Sequence, residues 1–275
     1  MKKKIKHPPF QWFGGKWEMA KWIIPHFPDH HTYVEPFGGA ASVLLQKEPS
    51  PVEVYNDLDG HVANFFRVAR DHTDELVRRV ALSPYHRGEY WDAVKSIDDE
   101  PDDIERARLF IVVARQSISG AWGRAWSCQR THSRRGLASG NSRWLNVVAS
   151  IYQVADRLME VQIDSKSAIE IINDYDTQNT LFYCDPPYHP ATCSSGVYRC
   201  TMDEDDHFEF LMFITNIKGR AVISGYDHPL YDEMLSKWKR VDREVPCRSN
   251  VNAKGTNGNR PTRTERLWVS PSESR

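Results

Sequence analysis

The amino-acid sequence predicts an α/β fold: one sheet of about seven strands, interrupted by a helical insert. Three observations lead to it. Strand-like and helix-like patterns alternate from residue 32 to 71, they alternate again from 161 to 269, and the segment between shows helical periodicity alone. Alternating strands and helices are typical of parallel βαβ units.

The first alternating part opens with a β-branched and aromatic run that ends at Gly38-Gly39. Such a run predicts a short strand, and the two glycines predict the turn that follows it. The predicted elements are, in order, a strand at 32–37, a helix at 40–47, a strand at 52–55 and a helix at 61–71. Residues 1–71 therefore form the first part of an α/β domain.

The middle of the chain differs in pattern and in charge. Apolar residues recur at helical spacing at 107–113 and 145–158, around an irregular segment at 119–143 that is rich in Gly, Ser, Arg and Trp. Over 106–155 there are eight arginines and no Asp or Glu, although the net charge of the chain is only −1. Segregated positive charge indicates a surface that meets phosphates. The sequence thus predicts a helical insert at 72–158.

After the insert, strands and helices alternate again. The predicted strands lie at 161–163, 180–184, 220–224, 239–246 and 265–269. The predicted helices lie at 168–172, 205–217 and 230–235. Residues 159–275 therefore complete the α/β domain that the insert divides.

Composition excludes several classes of protein. Of 275 residues, 40% are hydrophobic and 27% charged, which favours a packed core over disorder. No run of 18 apolar residues occurs and none follows the N-terminal lysines, so we expect a cytoplasmic protein without a membrane partner. The five cysteines lack CxxC spacing, so neither a disulfide framework nor a bound metal is expected.

The strongest chemical signal is Asp185-Pro186-Pro187-Tyr188, at the end of a strongly apolar strand. An exocyclic amine on a base is a poor nucleophile, because its lone pair is delocalised into the ring. The Asp185 carboxylate and the Pro186 carbonyl would accept its two N–H bonds, while Pro187 keeps the turn rigid. Tyr188 offers a flat face to a base rotated out of a duplex. An ordinary strand-ending turn is the alternative interpretation of this motif alone.

Two further motifs indicate a nucleoside-like ligand. Gly38-Gly39 directly after the first strand allows close approach of a ligand, but without G-x-G-x-x-G a dinucleotide is not indicated. Asp57 ends the next strand, where a carboxylate would accept ribose hydroxyls. Residues 12–16, Trp-Phe-Gly-Gly-Lys, place an aromatic ring, two glycines and a cation before the first strand, where they would close over a ligand that carries a carboxylate. Taken alone, this motif is better explained as an ordinary loop. A ribose without a diphosphate fits S-adenosyl-L-methionine (AdoMet).

Together these motifs resemble the Dam-like DNA adenine-N6 methyltransferases, with the AdoMet site first, then a target-recognition region, then the DPPY motif. The resemblance extends from Phe10 to about Pro271 and includes Asn-Asp-Leu-Asp at 56–59 and Ser-Gly-Tyr-Asp at 224–227. It implies a Rossmann-like AdoMet-dependent methyltransferase sheet. It also implies an enzyme that methylates N6 of a flipped adenine in double-stranded DNA without a metal. The overall character is that of a phage or prophage methylase, and a monomer is expected.

The resemblance assigns residues to roles. AdoMet-binding residues would be Trp12, Lys16, Glu35, Phe37, Gly38, Gly39 and Asp57. Those holding the target adenine would be Asp185, Pro186 and Tyr188. The sequence departs from the family at Gln11, and at 163–167 it lacks the Asp-Phe often found after the insert. Asp164 is our choice there for the residue that contacts the AdoMet adenine ring.

The arginine-rich insert is the predicted reader of DNA. Guanidinium groups mixed with aromatic rings suit phosphate contacts, guanine edges and stacking beside a flipped base. The residues expected to contact DNA are Arg115, Arg124, Arg130, Arg134 and Arg135. The alternative is a solvated loop whose tryptophans pack inside the insert, and for Trp144 we favour packing.

Two other functions compete with adenine methylation. Cytosine N4 is also an exocyclic amine, and the same carboxylate–carbonyl pair would serve it, although those enzymes more often have Ser in place of Asp185. A catalytically inactive DNA-binding relative is the third possibility. The intact Asp185, Tyr188, Gly38 and Asp57 argue against it.

Overall fold

The computed structural model describes residues 5–128, 131–192, 199–246 and 262–271. Within them the strands are β1 Thr32–Glu35, β2 Val52–Asn56, β3 Ser133–Arg134, β4 Leu137–Ala138, β5 Gln162–Asp164, β6 Thr180–Cys184, β7 Arg220–Gly225, β8 Lys239–Pro246 and β9 Thr262–Val269. The helices are α1 Ala20–Ile23, α2 Gly60–Asp71, α3 Thr73–Leu82, α4 Arg87–Ser96, α5 Asp103–Gln116, α6 Ser139–Leu158, α7 Ala168–Tyr175, α8 Glu204–Ile214 and α9 Pro229–Met234.

Seven strands form one sheet in the order β5-β2-β1-β6-β7-β9-β8. The pairs from β5 to β7 are parallel, and β9 runs antiparallel to both β7 and β8. The prediction of one sheet of about seven strands is confirmed. The chain proceeds outward from β1 through β2 to β5, then returns to β6 on the other side of β1. The switch point of the sheet therefore lies between β1 and β6, where α/β proteins bind their ligands.

Both faces of the sheet are covered, and side chains alternate between them. Tyr33 and Tyr55 belong to one hydrophobic cluster, whereas Val34 and Val54, one residue earlier or later, belong to the other. The period of two in a strand sends successive side chains to opposite faces. Every residue of β6 is buried, as expected for a central parallel strand covered on both sides.

The insert helices α3–α6 are present where helical periodicity predicted them. Helices α3, α5 and α6 pack against α2, and α4 packs against α5; apolar residues of all four join the cluster that covers one face of the sheet. Trp144 is buried there and its indole N–H donates to the Ser83 carbonyl at 2.9 Å, so this tryptophan packs inside the insert. The division of the chain at residues 71 and 158 stays a prediction.

The predicted helix at 40–47 is wrong: these residues form consecutive turns. Ala41 has a φ of 50°, a left-handed conformation that interrupts helical backbone. In addition, the backbone N–H of Leu44 donates to the Glu35 carboxylate at 2.7 Å instead of to a carbonyl of the preceding turn. The buried Glu35 carboxylate at the end of β1 thus takes a backbone N–H that a helix would have used for its own hydrogen bond.

The glycine turn after β1 supplies a test of packing. A Cβ on Gly38 would lie 2.1 Å from Cε2 of Tyr55, whose buried ring is held by a 2.7 Å hydrogen bond from its hydroxyl to the Gly39 carbonyl. We expect Gly38→Ala to lower the free energy of unfolding by about 1–3 kcal/mol through overpacking. Urea denaturation measures this change.

Gly60→Ala is the matched control for that substitution. Gly60 is the first residue of α2, and a Cβ there would meet no atom within 4 Å. Alanine should leave stability unchanged or raise it by up to about 1 kcal/mol, since it restricts the unfolded chain. Equal stability losses for the two variants would show that contact with Tyr55 is not the reason for glycine at position 38.

Candidate active site

A cavity of about 530 Å³ opens at the switch point of the sheet, beside the ends of β1, β2 and β6. Seven residues predicted to bind the cofactor line it: Trp12, Lys16, Glu35, Phe37, Gly38, Gly39 and Asp57. Three residues of the predicted catalytic motif line it as well: Asp185, Pro186 and Pro187. Motifs far apart in sequence therefore meet in one space.

The glycine turn and Asp57 form one wall of this cavity. Asp57 accepts hydrogen bonds from the backbone N–H of Gly39 at 2.7 Å and of Asp59 at 2.8 Å. A Cβ on Gly39 would lie 2.9 Å from the indole of Trp12, so glycine lets the tryptophan pack directly on the turn. Burial raises the pKa of Asp57 to about 7. Ligand hydroxyl groups that donate to this carboxylate would favour its ionised form.

Glu35 contributes a second buried carboxylate to the cavity. Its Oε1 accepts hydrogen bonds from the Tyr33 hydroxyl and the Leu44 N–H, both at 2.7 Å. Burial raises the pKa of Glu35 to about 8. A ligand ammonium group beside this carboxylate would stabilise its ionised form and so oppose the rise in pKa.

Asp164 does not line the cavity. Its Oδ1 accepts the backbone N–H of Ser165 at 2.8 Å, and its Oδ2 lies 3.4 Å from the ammonium of Lys166. The lining residues nearest in sequence are Ser167, Ala168 and Ile169, at the start of α7. The structure therefore brings the beginning of α7 to the cavity in place of Asp164.

Asp185 follows β6 directly and is held from two sides. Lys16 donates to its two carboxylate oxygens at 2.8 and 3.0 Å, and the Ser224 hydroxyl donates to Oδ1 at 2.9 Å. Burial raises the pKa of Asp185, and the ammonium of Lys16 opposes that rise. Two carboxylate oxygens offer about four acceptor positions, so one remains for an N–H donor from the cavity.

Tyr188 lies deeper than the motif alone suggested. The side chain is 8% exposed, and its ring packs on Tyr226 with centroids 4.4 Å apart. Lys16 donates to the Tyr188 hydroxyl, which in turn donates to Glu265 at 2.8 Å. Glu265, on β9, was not anticipated from the sequence. No local motif surrounds it, and it is a carboxylate inside a strand.

Arg199 closes another side of the cavity. Its guanidinium pairs with Asp59 at 3.1 Å and Asp98 at 3.0 Å, and lies over the ring of Trp122 at 5.2 Å. Arg199 also lines the cavity, together with the three residues that follow it. This arginine therefore joins the segment after the catalytic motif to the start of α2 and to the insert. Tyr198, its neighbour, lies outside the described residues.

Among the insert arginines predicted to contact DNA, Arg115 is bound to backbone carbonyls, whereas Arg124, Arg134 and Arg135 are exposed. The guanidinium of Arg115 donates to the carbonyls of Pro8 and Pro9 at 2.7–3.1 Å, and burial lowers its pKa to about 10. Arg115 thus fastens the N-terminal segment to α5, and its contact with DNA stays a prediction. Arg124 has an exposed side chain, and Arg130 lies outside the described residues.

Arg134 and Arg135 lie on an exposed hairpin formed by β3 and β4. The turn consists of Arg135 and Gly136, with φ values of 54° and 75°. Two residues of positive φ are typical of a type I′ turn, which matches the twist of the flanking strands. The segment expected to be irregular therefore contains a short, regular element that presents two guanidinium groups to solvent.

Within the part of the chain that the structure describes, no helix is both long and apolar enough to cross a membrane. No group of three or more His, Cys, Asp and Glu side chains in these same residues is arranged to hold a metal ion.

Comparison with known proteins identifies the family. A family model described as D12 class N6 adenine-specific DNA methyltransferase matches residues 12–244, well over half of the chain. The seven-stranded, mostly parallel sheet is accordingly a Rossmann-like methyltransferase fold. The chain belongs to the D12 class of N6 adenine-specific DNA methyltransferases, whose methyl donor is in general AdoMet.

Individual relatives carry matching names. The DNA adenine methylase of Salmonella typhi is 25% identical over 194 residues, which cover 68% of this chain and 66%, slightly under two-thirds, of that protein. The DNA adenine methylase of Escherichia coli strain K12 is 25% identical over 258 residues, 89% of each chain. The Type II methyltransferase M.MjaIII of Methanocaldococcus jannaschii is 22% identical over 280 residues, covering 90% of this chain and 93% of that protein.

Two acidic residues that end neighbouring strands allow a direct test of the cofactor site. We expect Asp57→Asn to weaken AdoMet binding at least ten-fold, about 1.4 kcal/mol, because hydrogen bonds to a buried carboxylate are lost. Asp164→Asn should change affinity by less than about two-fold, since the Asp164 side chain bonds to Ser165 and Lys166, which do not line the cavity. Calorimetric titration measures both affinities. A larger loss for Asp164→Asn would restore Asp164 to the cofactor site.

Proposed function

We propose that this chain transfers the methyl group of AdoMet to N6 of an adenine rotated out of double-stranded DNA. One observation carries the proposal. The Asp185 carboxylate, held by Lys16 and Ser224, lies in the same cavity as the glycine turn and Asp57. A carboxylate that can accept hydrogen bonds from an exocyclic amine thus lies next to a site suited to a nucleoside that carries a positively charged group.

The cavity fits AdoMet in size and in the kinds of groups it contains. Its volume lies within the range of small-molecule sites, and the turn at Gly38 and Gly39 forms part of its wall. Asp57 would accept the ribose hydroxyls, and Glu35 would take the ammonium of the methionine part. Trp12 and Phe37 supply the apolar and aromatic surface. When bound, AdoMet supplies an electrophilic methyl group on its sulfonium.

Asp185 and Pro186 would hold the amine to be methylated. The carboxylate and the carbonyl accept the two N–H bonds of N6, which localises the nitrogen lone pair and directs it toward the donor. Pro186 and Pro187 have fixed φ angles and no N–H, so the turn keeps its geometry without competing donors. The proton lost by N6 would pass to Asp185 or to water.

Tyr188 would support the flipped base with its ring. The hydroxyl is fixed by Lys16 and Glu265, and the ring packs on Tyr226. These contacts hold the ring in a defined orientation next in sequence to Pro187, which lines the cavity, whereas Tyr188 itself is not part of the lining. The base would stack on the small part of the ring that stays exposed.

The hairpin of β3 and β4 would read the DNA. A two-stranded ribbon fits the major groove, where arginine recognises guanine, and exposed guanidinium groups also bind phosphates. A single methyl transfer needs one catalytic site and one reading element, so we propose that a monomer acts on each target adenine.

The catalytic assignment is tested with Asp185→Ala. We expect the rate of methylation to fall at least about a hundred-fold, because the acceptor that orients N6 is lost. Purified protein is incubated with labelled AdoMet and unmethylated DNA, and modified nucleosides are identified by mass spectrometry. The wild type should form N6-methyladenine, and the variant essentially none. Asp174→Asn, which alters an exposed carboxylate paired with Lys166 at 2.9 Å, should leave the rate unchanged.

The product decides between the competing functions. N4-methylcytosine from the wild type would replace adenine N6 with cytosine N4 as the target. AdoMet binding without methylation of any DNA would point to an inactive DNA-binding relative. Full activity of Asp185→Ala would remove Asp185 from the catalytic role.

The hairpin assignment is tested with the double substitution Arg134→Ala and Arg135→Ala. We expect DNA affinity to fall at least about ten-fold and the slope of log affinity against log salt to decrease by up to about two. AdoMet affinity should not change, because both side chains point to solvent away from the cavity lining. Fluorescence anisotropy at several salt concentrations measures the affinity.

A surface arginine provides the control for the hairpin. Arg78 lies on α3 and pairs with Glu75 at 2.8 Å, within the same helix. Arg78→Ala should leave DNA affinity and salt slope as in the wild type. An unchanged slope in the hairpin variant would exclude the hairpin from the DNA interface.

A further inference from the structure

One carboxylate outside the recognised motifs reaches the catalytic network. Glu265 lies on β9 and is 4% exposed. It accepts a hydrogen bond from the Tyr188 hydroxyl at 2.8 Å, and its Oε1 lies 3.4 Å from the ammonium of Lys16. Burying a carboxylate destabilises the fold unless the carboxylate is paired, so these contacts explain why the fold can accommodate Glu265 in a buried position.

The hydrogen bonds of Lys16 fix the direction of this network. An ammonium has three N–H donors, and Lys16 directs them to the Gly14 carbonyl, Asp185 and the Tyr188 oxygen. Because the Tyr188 oxygen accepts from Lys16, its single proton is directed to Glu265. Glu265 must therefore remain an acceptor for the tyrosine to hold this orientation.

The alternation of β9 explains how a charged residue reaches this place. Leu267, two residues later, joins the cluster on the same face of the sheet and pairs with Ser224 of β7. Arg266, between them, is directed to the opposite face and pairs with Asp242 at 2.8 Å. Since β9 is hydrogen-bonded to β7, its residue 265 lies beside the segment that follows β7 and close to Tyr188.

We propose that Glu265 is a positioning residue for methyl transfer, acting through Tyr188 and Lys16 on the Asp185 carboxylate. This role rests on the proposed functions of Asp185 and Tyr188. Lys16 contacts both carboxylates, so its charge is shared between them. Without the charge of Glu265, Lys16 would neutralise Asp185 more completely and make it a weaker acceptor for the amine.

The substitution Glu265→Gln removes the negative charge of this side chain and keeps its shape. Glutamine retains an oxygen that accepts from Tyr188 but removes the negative charge. We expect the plateau value of kcat to fall about ten-fold, with AdoMet affinity within about two-fold of the wild type. Glu265→Asp keeps the charge and should retain more activity than the glutamine variant. Glu244→Gln, an exposed carboxylate on β8, should behave as the wild type.

The pH profile distinguishes positioning from structural support. The carboxylate of Glu265 adds to the burial effect that raises the pKa of Asp185. Its removal lowers that pKa, so the acidic limb of the kcat profile should move to lower pH in Glu265→Gln and stay near the wild-type position in Glu265→Asp. A double-mutant cycle with Tyr188→Phe should be non-additive, because the two side chains act through one hydrogen bond.

Each outcome has a defined meaning. An unchanged plateau and acidic limb in Glu265→Gln would overturn the role of Glu265, and so would equal loss of folding in the Gln and Asp variants. Wild-type formation of N6-methyladenine is measured in the same reactions. Its absence would refute the proposed function itself, which separates that failure from failure of the Glu265 proposal.

Discussion

The buried ammonium of Lys16 is the group on which the arrangement of the site depends. An ammonium that is 4% exposed costs several kcal/mol of hydration, so it persists only where charges and carbonyls replace the water. Burial lowers the pKa of Lys16, but the carboxylates of Asp185 and Glu265 outweigh burial and raise it well above its ordinary value. The lysine therefore stays charged, and it joins a loop before β1, the end of β6 and the antiparallel strand β9.

Sheet topology supplies the geometry that this ammonium requires. Parallel strands β1 and β6 are adjacent, so the glycine turn after one and Asp185 after the other open into the same cavity. The antiparallel β9 lies next to β7, and this brings Glu265 and Ser224 to the same network from the other side.

The sequence predicted the sheet, the insert helices and the motif residues that line the cavity, because hydrophobic periodicity and short motifs are local signals. It failed where a distant group decided the outcome. The turns at 40–47 replace a helix because Glu35 takes the N–H of Leu44. The hydrogen bonds from Arg115 to the carbonyls of Pro8 and Pro9 could not be predicted either, because these residues are far apart in sequence. Glu265 carries no motif, and only the pairing of β9 with β7 shows its neighbours.

The insert packs against the loop at 12–16, which forms part of the cavity wall. Gly120, with a φ of 75°, lies so close to the loop at 12–16 that a Cβ would stand 3.3 Å from the backbone nitrogen of Phe13. That loop carries Trp12, which packs on Gly39, and Lys16, which holds Asp185. A displacement of the insert would therefore be transmitted to the cavity wall through van der Waals contact, since packed interiors have little free volume to absorb it. The proposed reading of DNA by the insert and the proposed placement of the reacting groups would thus share one continuous set of contacts.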